Sequence, residues 1–364
     1  MTIFPGAGAI EIDVAVARGI VCSVEIRSTR PIGFTRAFVD REPDEAPLLA
    51  RSLYSLCGAA QSAAAAQAVA SAQGKRLGAG ELFGQSLGVL TERAFEALRG
   101  LALGWPSGEV TALGRAAPHL REAATAARAL MAASGSGLGR ARRLELLAPQ
   151  ARLAASARAL GLAVDPFAPP SAGSYLAGLA RQCAQDCAFA AAAPDALGEA
   201  DDSDVIAALR RNPEAFVGAP SLPGRCIETG AFARLGRGGG NGLASRLAAR
   251  LADIALALAK LEAALHAGET AAEARGGEAG PAAGYGVVES ARGRLYHLAQ
   301  ISSRGRISGY RILAPTEWNF HANGPFVAAT LGARGAEAGA LQRLAALFDP
   351  CVGFEVRMKE FGDA

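Results

Sequence analysis

Apolar and polar side chains alternate at both ends of the chain and frame a long middle with helical periodicity. Near the amino terminus, residues 9–15 and 20–27 alternate, which predicts a β-hairpin with one buried face. Toward the other end, the same alternation predicts strands at residues 286–289, 294–301 and 307–313. We therefore predict an α+β fold with a mostly helical core and small β elements near both termini.

The middle of the chain reads as a series of helices. A Pro/Asp-rich stretch at residues 41–47 leads into a predicted helix that carries Cys57, and the alanine-rich segment 59–72 favours helix and close approach of neighbouring backbones. The longest helix is predicted over residues 243–266, where leucines recur at spacings of three and four. Helical periodicity also marks residues 80–102, 111–133, 141–160 and 173–192.

Two segments lack either periodicity. Residues 267–286 are polar and rich in alanine, glycine and glutamate, and we interpret them as a mobile linker. Residues 236–242 are rich in glycine, but no Lys-Ser/Thr pair follows them and no clear strand precedes them. A flexible connection is therefore favoured over a phosphate-binding loop.

The composition excludes several classes of partner. The 364 residues are 51% hydrophobic and 20% charged, and the net charge of +3 is scattered, so we expect no nucleic-acid partner. No uncharged apolar stretch approaches the ~20 residues that span a bilayer, so no membrane insertion is expected. The amino terminus has no secretory pattern, which predicts a cytoplasmic protein. In that compartment, its six cysteines suggest thiols or metal ligands before disulfides.

Two cysteines near opposite ends of the chain carry the strongest chemical signal. Cys57 follows a leucine and precedes a glycine, and Cys351 follows an Asp-Pro pair. The third residue after each cysteine is Ala60 or Phe354, so neither cysteine forms a C-x-x-C pair. For both cysteines to serve one site, the two distant segments must meet within one domain, spanning residues 1–364.

Further motifs accompany these cysteines. They are Glu228-Thr229-Gly230-Ala231-Phe232-Ala233-Arg234, Arg292-Gly293-Arg294-Leu295-Tyr296-His297, Pro315-Thr316-Glu317-Trp318-Asn319 and Phe348-Asp349-Pro350-Cys351. Their order resembles that of the large subunit of nickel–iron hydrogenases. The chain is shorter than such subunits and lacks half of their cysteine ligands, so it is most similar to the HupK/HoxV-type hydrogenase assembly proteins.

The resemblance implies a particular metal site. In that family the first cysteine of each pair is a terminal nickel ligand, and the second bridges nickel to an iron that carries cyanide and carbon monoxide. With both bridging sulfurs missing, Cys57 and Cys351 are expected to hold iron alone, as a transient Fe(CN)2(CO) unit without nickel. The resemblance also places Arg292 near the cyanides, lets the Thr316 hydroxyl donate to a cyanide, and gives Pro315 the apolar wall beside carbon monoxide.

The implied function is that of an assembly scaffold with no catalytic residues. It would receive the iron unit from HypC/HypD-type maturation proteins and pass it to a hydrogenase large-subunit precursor. A metal-free structural or interaction protein with the same fold remains an alternative, because related large-subunit-like proteins have lost the metal. An enzyme that evolves hydrogen at an unusual centre is the least favoured interpretation, since Ala60 and Phe354 offer no bridging atom.

The other cysteines and the histidines receive structural interpretations. Cys183 and Cys187 stand four residues apart, and we favour ordinary packing, with redox pairing or metal binding left open. His297 is expected to make a structural hydrogen bond within a strand, and His321 to lie near the site entrance. The Trp318-Asn319 pair is expected to lock its loop.

Overall fold

The computed structural model describes residues 8–106, 110–134, 138–236, 238–240, 242–269 and 272–361. The helices are α1 (Ala46–Leu53), α2 (Gly58–Ala72), α3 (Ala79–Leu103), α4 (Val110–Ala133), α5 (Arg140–Glu145), α6 (Leu147–Ala159), α7 (Tyr175–Gln185), α8 (Asp202–Arg211), α9 (Pro213–Gly218), α10 (Ala231–Leu235), α11 (Gly242–Ala267), α12 (Pro315–Asn319), α13 (Pro325–Thr330) and α14 (Ala338–Phe348). The strands are β1 (Ala9–Ala17), β2 (Ile20–Ser28), β3 (Asp195–Ala196), β4 (Ile227–Glu228), β5 (Ala274–Glu278), β6 (Ala283–Ser290), β7 (Gly293–Ile301), β8 (Ile307–Leu313) and β9 (Gly353–Phe361). Short 3₁₀ helices cover Ile32–Phe38, Pro43–Glu45 and Glu199–Asp201.

The predicted amino-terminal hairpin is confirmed and is completed by the far end of the chain. Strands β1 and β2 pair antiparallel, while β9 pairs parallel to β1, with Ile10 opposite Phe354. Alternate side chains of β1, among them Ile10 and Ile12, are buried in the main core. The two ends of the chain are thus joined in one three-stranded sheet, which brings the segment containing Cys351 back to the amino-terminal half.

The helical middle agrees with the sequence pattern at its long elements. The stripe predicted over residues 243–266 forms α11, whose leucines pack into the main core together with α3 and α4. Residues 141–160 form α5 and α6 rather than one helix, and in the segment 173–192 the helix ends at Gln185. No helix in the described ranges has both the length and the apolar character that crossing a bilayer demands.

A four-stranded antiparallel sheet, in the order β5-β6-β7-β8, packs against α2 on one face. The alanine-rich helix lies so close that a Cβ at Gly286 would stand 2.0 Å from the carbonyl oxygen of Ala64. On the opposite face, Leu298 and Tyr296 pack against α8 and α9. Helix α2, packed on this sheet, fixes the position of the candidate ligand Cys57, which directly precedes the helix.

The interpretation of residues 267–286 as a linker was wrong. This segment contains β5 and the first residues of β6, which pair from Ala274 opposite Val288 to Glu278 opposite Gly284. The small residues that suggested a linker are needed because α2 and β6 pack with their backbones in contact. Of the glycine-rich segment 236–242, residues 236, 238–240 and 242 are described and connect α10 to α11, while 237 and 241 lie outside the described residues.

Candidate metal centre

Cys57 occupies the position that begins helix α2. Its backbone N–H donates to the Tyr54 carbonyl at 3.2 Å, and its own carbonyl accepts the first helical bond, from the Gln61 N–H at 2.9 Å. The half-buried sulfur therefore lies at the amino-terminal end of the helix, where the backbone amides favour negative charge. The predicted helix does not carry Cys57 within it but starts immediately after it, at Gly58.

Cys351 lies in the short connection between α14 and β9. Helix α14 ends at Phe348 and is followed by Asp349, which adopts a left-handed conformation with φ of 53°. Strand β9 begins two residues after the cysteine. The Thr316 hydroxyl donates to the Cys351 sulfur at 3.2 Å and accepts the Cys351 backbone N–H, also at 3.2 Å. The predicted residue Thr316 thus contacts the predicted ligand directly. Pro315 is buried at the first position of α12, next to Thr316.

The fold brings the two sulfurs close enough for their charges to interact. Burial, followed by the charges of Cys351 and Glu92, raises the pKa of the Cys57 thiol to about 12, against the opposing effects of Arg292 and Gln61. Without a bound cation, Cys57 therefore favours its protonated form. A bound cation that replaces the proton would remove this penalty, since metal ions bind the thiolate.

Arg292 is only 5% exposed and lies close enough to both cysteines for their charges to act on it. Its Nη1 donates to the Leu56 carbonyl at 3.2 Å, and its guanidinium lies 3.6 Å from carboxylate oxygens of both Glu96 and Asp349. The Nε–H has no hydrogen-bond acceptor among the described residues. Although burial opposes it, the negative charges of Asp349, Glu96 and the two cysteines raise the pKa of Arg292. The site thus contains a buried cation whose Nε–H lies 3.6 Å from Asp349 Oδ2 without forming a hydrogen bond.

The Glu228-Thr229-Gly230 motif packs against the backbone next to this arginine. Gly230 has a φ of 118°, and a Cβ there would stand 3.1 Å from the Arg292 carbonyl oxygen. The Thr229 hydroxyl accepts the Arg294 backbone N–H at 2.8 Å. Asn319 ties the same turn to α12, because its side chain accepts from the Thr229 N–H at 3.1 Å and donates to the Thr229 carbonyl at 2.9 Å. The prediction that Trp318-Asn319 locks its loop is confirmed for the asparagine.

Sequence reasoning missed a second arginine. Arg30, in the segment after β2, pairs with the Glu317 carboxylate, and both side chains are nearly buried. Burial opposes its charge, yet the negative charges of Cys351, Glu317 and Cys57 raise the pKa of Arg30. Arg30 therefore lies within electrostatic reach of both sulfurs. No local pattern marks it, because residues 29–31 are irregular and their neighbours at the site come from distant parts of the chain.

Glu92 was also missed, although the sequence offered a signal. Its carboxylate accepts the backbone N–H of Ala59 at 2.6 Å and that of Ala60 at 3.0 Å, and so caps the first turn of α2 directly after Cys57. Burial raises the pKa of Glu92 to about 7 despite these two hydrogen bonds. Glu92 and Glu96 are both buried in α3, and a buried carboxylate is unusual enough to mark a residue with a specific partner.

The positions of the missing cysteines hold no ligand atoms. Ala60 is buried in α2, and Phe354 lies in β9 opposite Ile10. Within the described ranges, no group of three or more His, Cys, Asp or Glu side chains is arranged to hold a metal ion. A metal at this site would therefore take two protein sulfurs and complete its coordination from elsewhere.

The remaining predicted residues lie away from the two sulfurs or serve the framework. Cys183 is buried in the main core, which agrees with packing, whereas Cys187 is exposed. His297 is fully buried in β7 and hydrogen-bonds to side chains on both sides, as expected for a structural histidine. His321 follows α12, and its Nδ1 accepts the Asn323 N–H at 3.4 Å.

The architecture defines the class of protein. The chain superposes on a reduced, active form of the Ni-Fe-Se hydrogenase from Desulfomicrobium baculatum with a TM-score of 0.66 at 14% identity, covering 93% of this chain and 95% of that one. The fold is that of the nickel–iron hydrogenase large subunit, as predicted.

The sequence relatives then give the family. The chain is 45% identical over 376 residues to the hydrogenase expression/formation protein HupK of Rhizobium leguminosarum bv. viciae, with both chains covered completely. It is 31% identical over 196 residues to HoxV of Cupriavidus necator, covering 50% of this chain and 51% of that one. No protein-family model matches the chain. The chain belongs to the HupK family of hydrogenase expression/formation proteins, which confirms the predicted resemblance and gives it a part in hydrogenase maturation.

Proposed function

We propose that this protein is a cytoplasmic assembly factor that carries an Fe(CN)2(CO) unit on Cys57 and Cys351 and passes it to a hydrogenase large-subunit precursor. The observation that carries the proposal is the convergence of two sulfurs from opposite ends of the chain with two nearly buried arginines, Arg30 and Arg292. Thiolates suit iron, and the cargo brings its own diatomic ligands. Two protein ligands are then enough to hold it.

Charge supports the choice of cargo. An Fe(II) with two cyanides, one carbon monoxide and two thiolates has a net charge of minus two, which is costly to bury without compensation. Arg30 and Arg292 both respond to the two sulfurs and would offset part of this charge. Each arginine also faces carboxylates, Glu317 beside Arg30 and Glu96 with Asp349 beside Arg292. The Nε–H of Arg292 lies 3.6 Å from Asp349 Oδ2, beyond hydrogen-bond distance, and is a donor of the kind that a cyanide nitrogen accepts. The buried Pro315 provides an apolar surface of the kind that suits carbon monoxide, which is a poor acceptor.

The small number of protein ligands favours release. Neither Ala60 nor Phe354 offers a sulfur that could bridge a second metal, so nickel is not expected in the site. A unit held through only two sulfurs is bound less firmly than in a four-thiolate cage. Transfer to a precursor with more thiolates is then downhill. The relatives HupK and HoxV are hydrogenase expression/formation proteins, which supports a partner in hydrogenase maturation. The proposal assigns the supply of the iron unit to HypC/HypD-type maturation proteins.

The test is an infrared spectrum together with iron and nickel analysis of protein purified anaerobically from cells with the full maturation machinery. We expect two cyanide bands, one carbonyl band, iron and no nickel. The Cys57→Ser and Cys351→Ser variants should lose the bands and the iron while remaining folded. Cys22→Ser is the matched control, because this exposed thiol lies on β2 and should leave the spectrum unchanged. Retention of the unit by both site variants would show that the ligand assignment is wrong.

A metal-free structural or interaction protein is the second candidate. It is favoured by the raised pKa of the buried Cys57 thiol, because that thiol stays protonated when no cation is bound. This candidate predicts a blank infrared spectrum and no iron in the same preparation. The experiment above therefore decides between the two.

A further inference from the structure

A buried row of hydrogen bonds leads from the sulfur of Cys57 into the β-sheet. Gln61 Nε2 lies 3.6 Å from Cys57 Sγ, and Gln61 Oε1 lies 2.7 Å from His297 Nε2. His297 Nδ1 in turn lies 2.7 Å from the Tyr310 hydroxyl. Gln61, His297 and Tyr310 are each at most 2% exposed, so the row is shielded from water. These residues come from α2, β7 and β8 and have no part in the proposed coordination itself.

Hydrogen-bond chemistry gives the row a direction. If Tyr310 donates to His297 Nδ1, the neutral imidazole carries its proton on Nε2 and donates it to Gln61 Oε1. The Gln61 amide nitrogen then faces Cys57 and donates to the sulfur. In the opposite direction His297 would donate to Tyr310, whose own hydroxyl proton would need another acceptor. Among the residues that the structure describes, Tyr310 has no such second partner.

The surroundings hold this arrangement in place. Tyr310 stacks on Phe38 with ring centroids 4.1 Å apart and interplanar angle 4°. Burial lowers the pKa of His297 to about 3, so the ring stays neutral and has one donor and one acceptor. Gln61 lies one helical turn after Cys57, so its side chain and the sulfur occupy the same face of α2. Each group in the row therefore determines the orientation of the next.

We propose that Gln61, oriented by His297 and Tyr310, is a positioning residue that presents the Cys57 sulfur as a hydrogen-bond acceptor and so prepares it to bind the cargo iron as a thiolate. This inference rests on the proposed function. Hydrogen bonds to a ligating sulfur tune both the geometry and the electron donation of the metal–sulfur bond. Cys351 has its own donor, the Thr316 hydroxyl, so each sulfur is oriented by one polar side chain.

The test uses two variants, one at the far end of the row and one next to the sulfur, together with a matched control. Tyr310→Phe keeps the ring that stacks on Phe38 and removes only the hydroxyl, while Gln61→Leu removes the donor itself. The control is Tyr296→Phe, which removes another fully buried hydroxyl of the same sheet, one that donates to Asp202 at 2.9 Å. In the loaded protein we expect shifted cyanide and carbonyl bands in Tyr310→Phe and Gln61→Leu but not in Tyr296→Phe. Gln61→Leu should also retain iron about 10- to 100-fold less well.

A second readout does not depend on the cargo. Nitrogen NMR of the empty full-length protein with labelled histidine should show His297 protonated at Nε2, and Tyr310→Phe should raise the population protonated at Nδ1, whereas Tyr296→Phe should not. A wild-type His297 protonated at Nδ1, or wild-type bands in both Tyr310→Phe and Gln61→Leu, would overturn the inference. A wild-type protein without bands or iron would instead refute the proposed function. The two failures are therefore distinguishable.

Discussion

Thr316→Val is the sharpest test of the candidate centre because it removes one hydroxyl and almost nothing else. Thr316 is 3% exposed, and its hydroxyl both donates to the Cys351 sulfur and accepts the Cys351 N–H. Valine keeps the branched shape but can do neither. The variant leaves the Cys351 N–H without its partner, which costs ~1–3 kcal/mol of folding free energy where the group is buried.

The effect on the cargo should be larger than the effect on the fold. Loss of a group that hydrogen-bonds to a metal ligand typically lowers metal affinity by about 10- to 100-fold. We therefore expect Thr316→Val to be purified with at most a tenth of the wild-type iron and with displaced infrared bands. Urea denaturation would measure the accompanying loss of stability.

Thr330→Val provides the matched control. Thr330 is fully buried, and its hydroxyl donates to the Phe326 carbonyl at 2.8 Å, in α13 rather than at the cysteines. Both variants should lose a similar free energy of unfolding, but only Thr316→Val should lose iron. Equal iron contents in the two variants would refute the reasoning and reduce Thr316 to a structural residue.

Two further predictions concern the framework around the site. Because burial depresses the folded-state pKa of His297 to about 3, its contribution to stability is present above the unfolded pKa of 6.5 and is lost as the pH falls toward 3. At 1.36 kcal/mol per pKa unit, the free energy of unfolding measured in urea should fall by about 2 kcal/mol more in the wild type than in His297→Gln between pH 7 and pH 5. Parallel pH profiles of the two proteins would contradict this. Asp253 is 1% exposed and accepts hydrogen bonds from Arg93 at 3.0 Å and from Arg234 at 2.7 Å, so Asp253→Asn should lower the free energy of unfolding by ~3–5 kcal/mol in the same assay. The control Asp13→Asn, beside the exposed Arg27, should lower it by less than ~1 kcal/mol. Equal losses in the two variants would count against a buried network.

The elements predicted well from the sequence are those whose periodicity is set by burial within a few residues. The amino-terminal hairpin and the stripe that became α11 have one buried face each, and that face is visible in the local pattern. The segment 267–286 misled for a physical reason. Its glycines resemble a linker, yet Gly284 and Gly286 are small because the backbone of α2 lies against β6. The parallel pairing of β9 with β1 joins opposite ends of the chain, and no local pattern records it.

The residues of the candidate site were likewise predictable only where a local sequence motif marks them. Cys57, Arg292, Thr316 and Cys351 lie in short motifs, so the resemblance identified them, and the structure places the hydroxyl of Thr316 against Cys351. Arg30 lies in no motif, and its relation to the two sulfurs exists only in three dimensions. Residues that adjust charge around a site can be contributed by any segment that passes near it. Sequence reasoning therefore finds candidate ligands more readily than it finds their electrostatic partners.

The dependence of the site on the two ends of the chain has a thermodynamic consequence. Bringing Cys57 and Cys351 together closes about four fifths of the chain into a loop, whose length-dependent entropic cost is on the order of 5 kcal/mol. The pairing of β9 with β1, which begins two residues after Cys351, helps to offset that cost. A ligand that bridges the two sulfurs binds only the folded form, so it must stabilise that form by mass action. In the proposed carrier, release of the cargo and loosening of β9 would then be coupled, because either one weakens the link between the two ends.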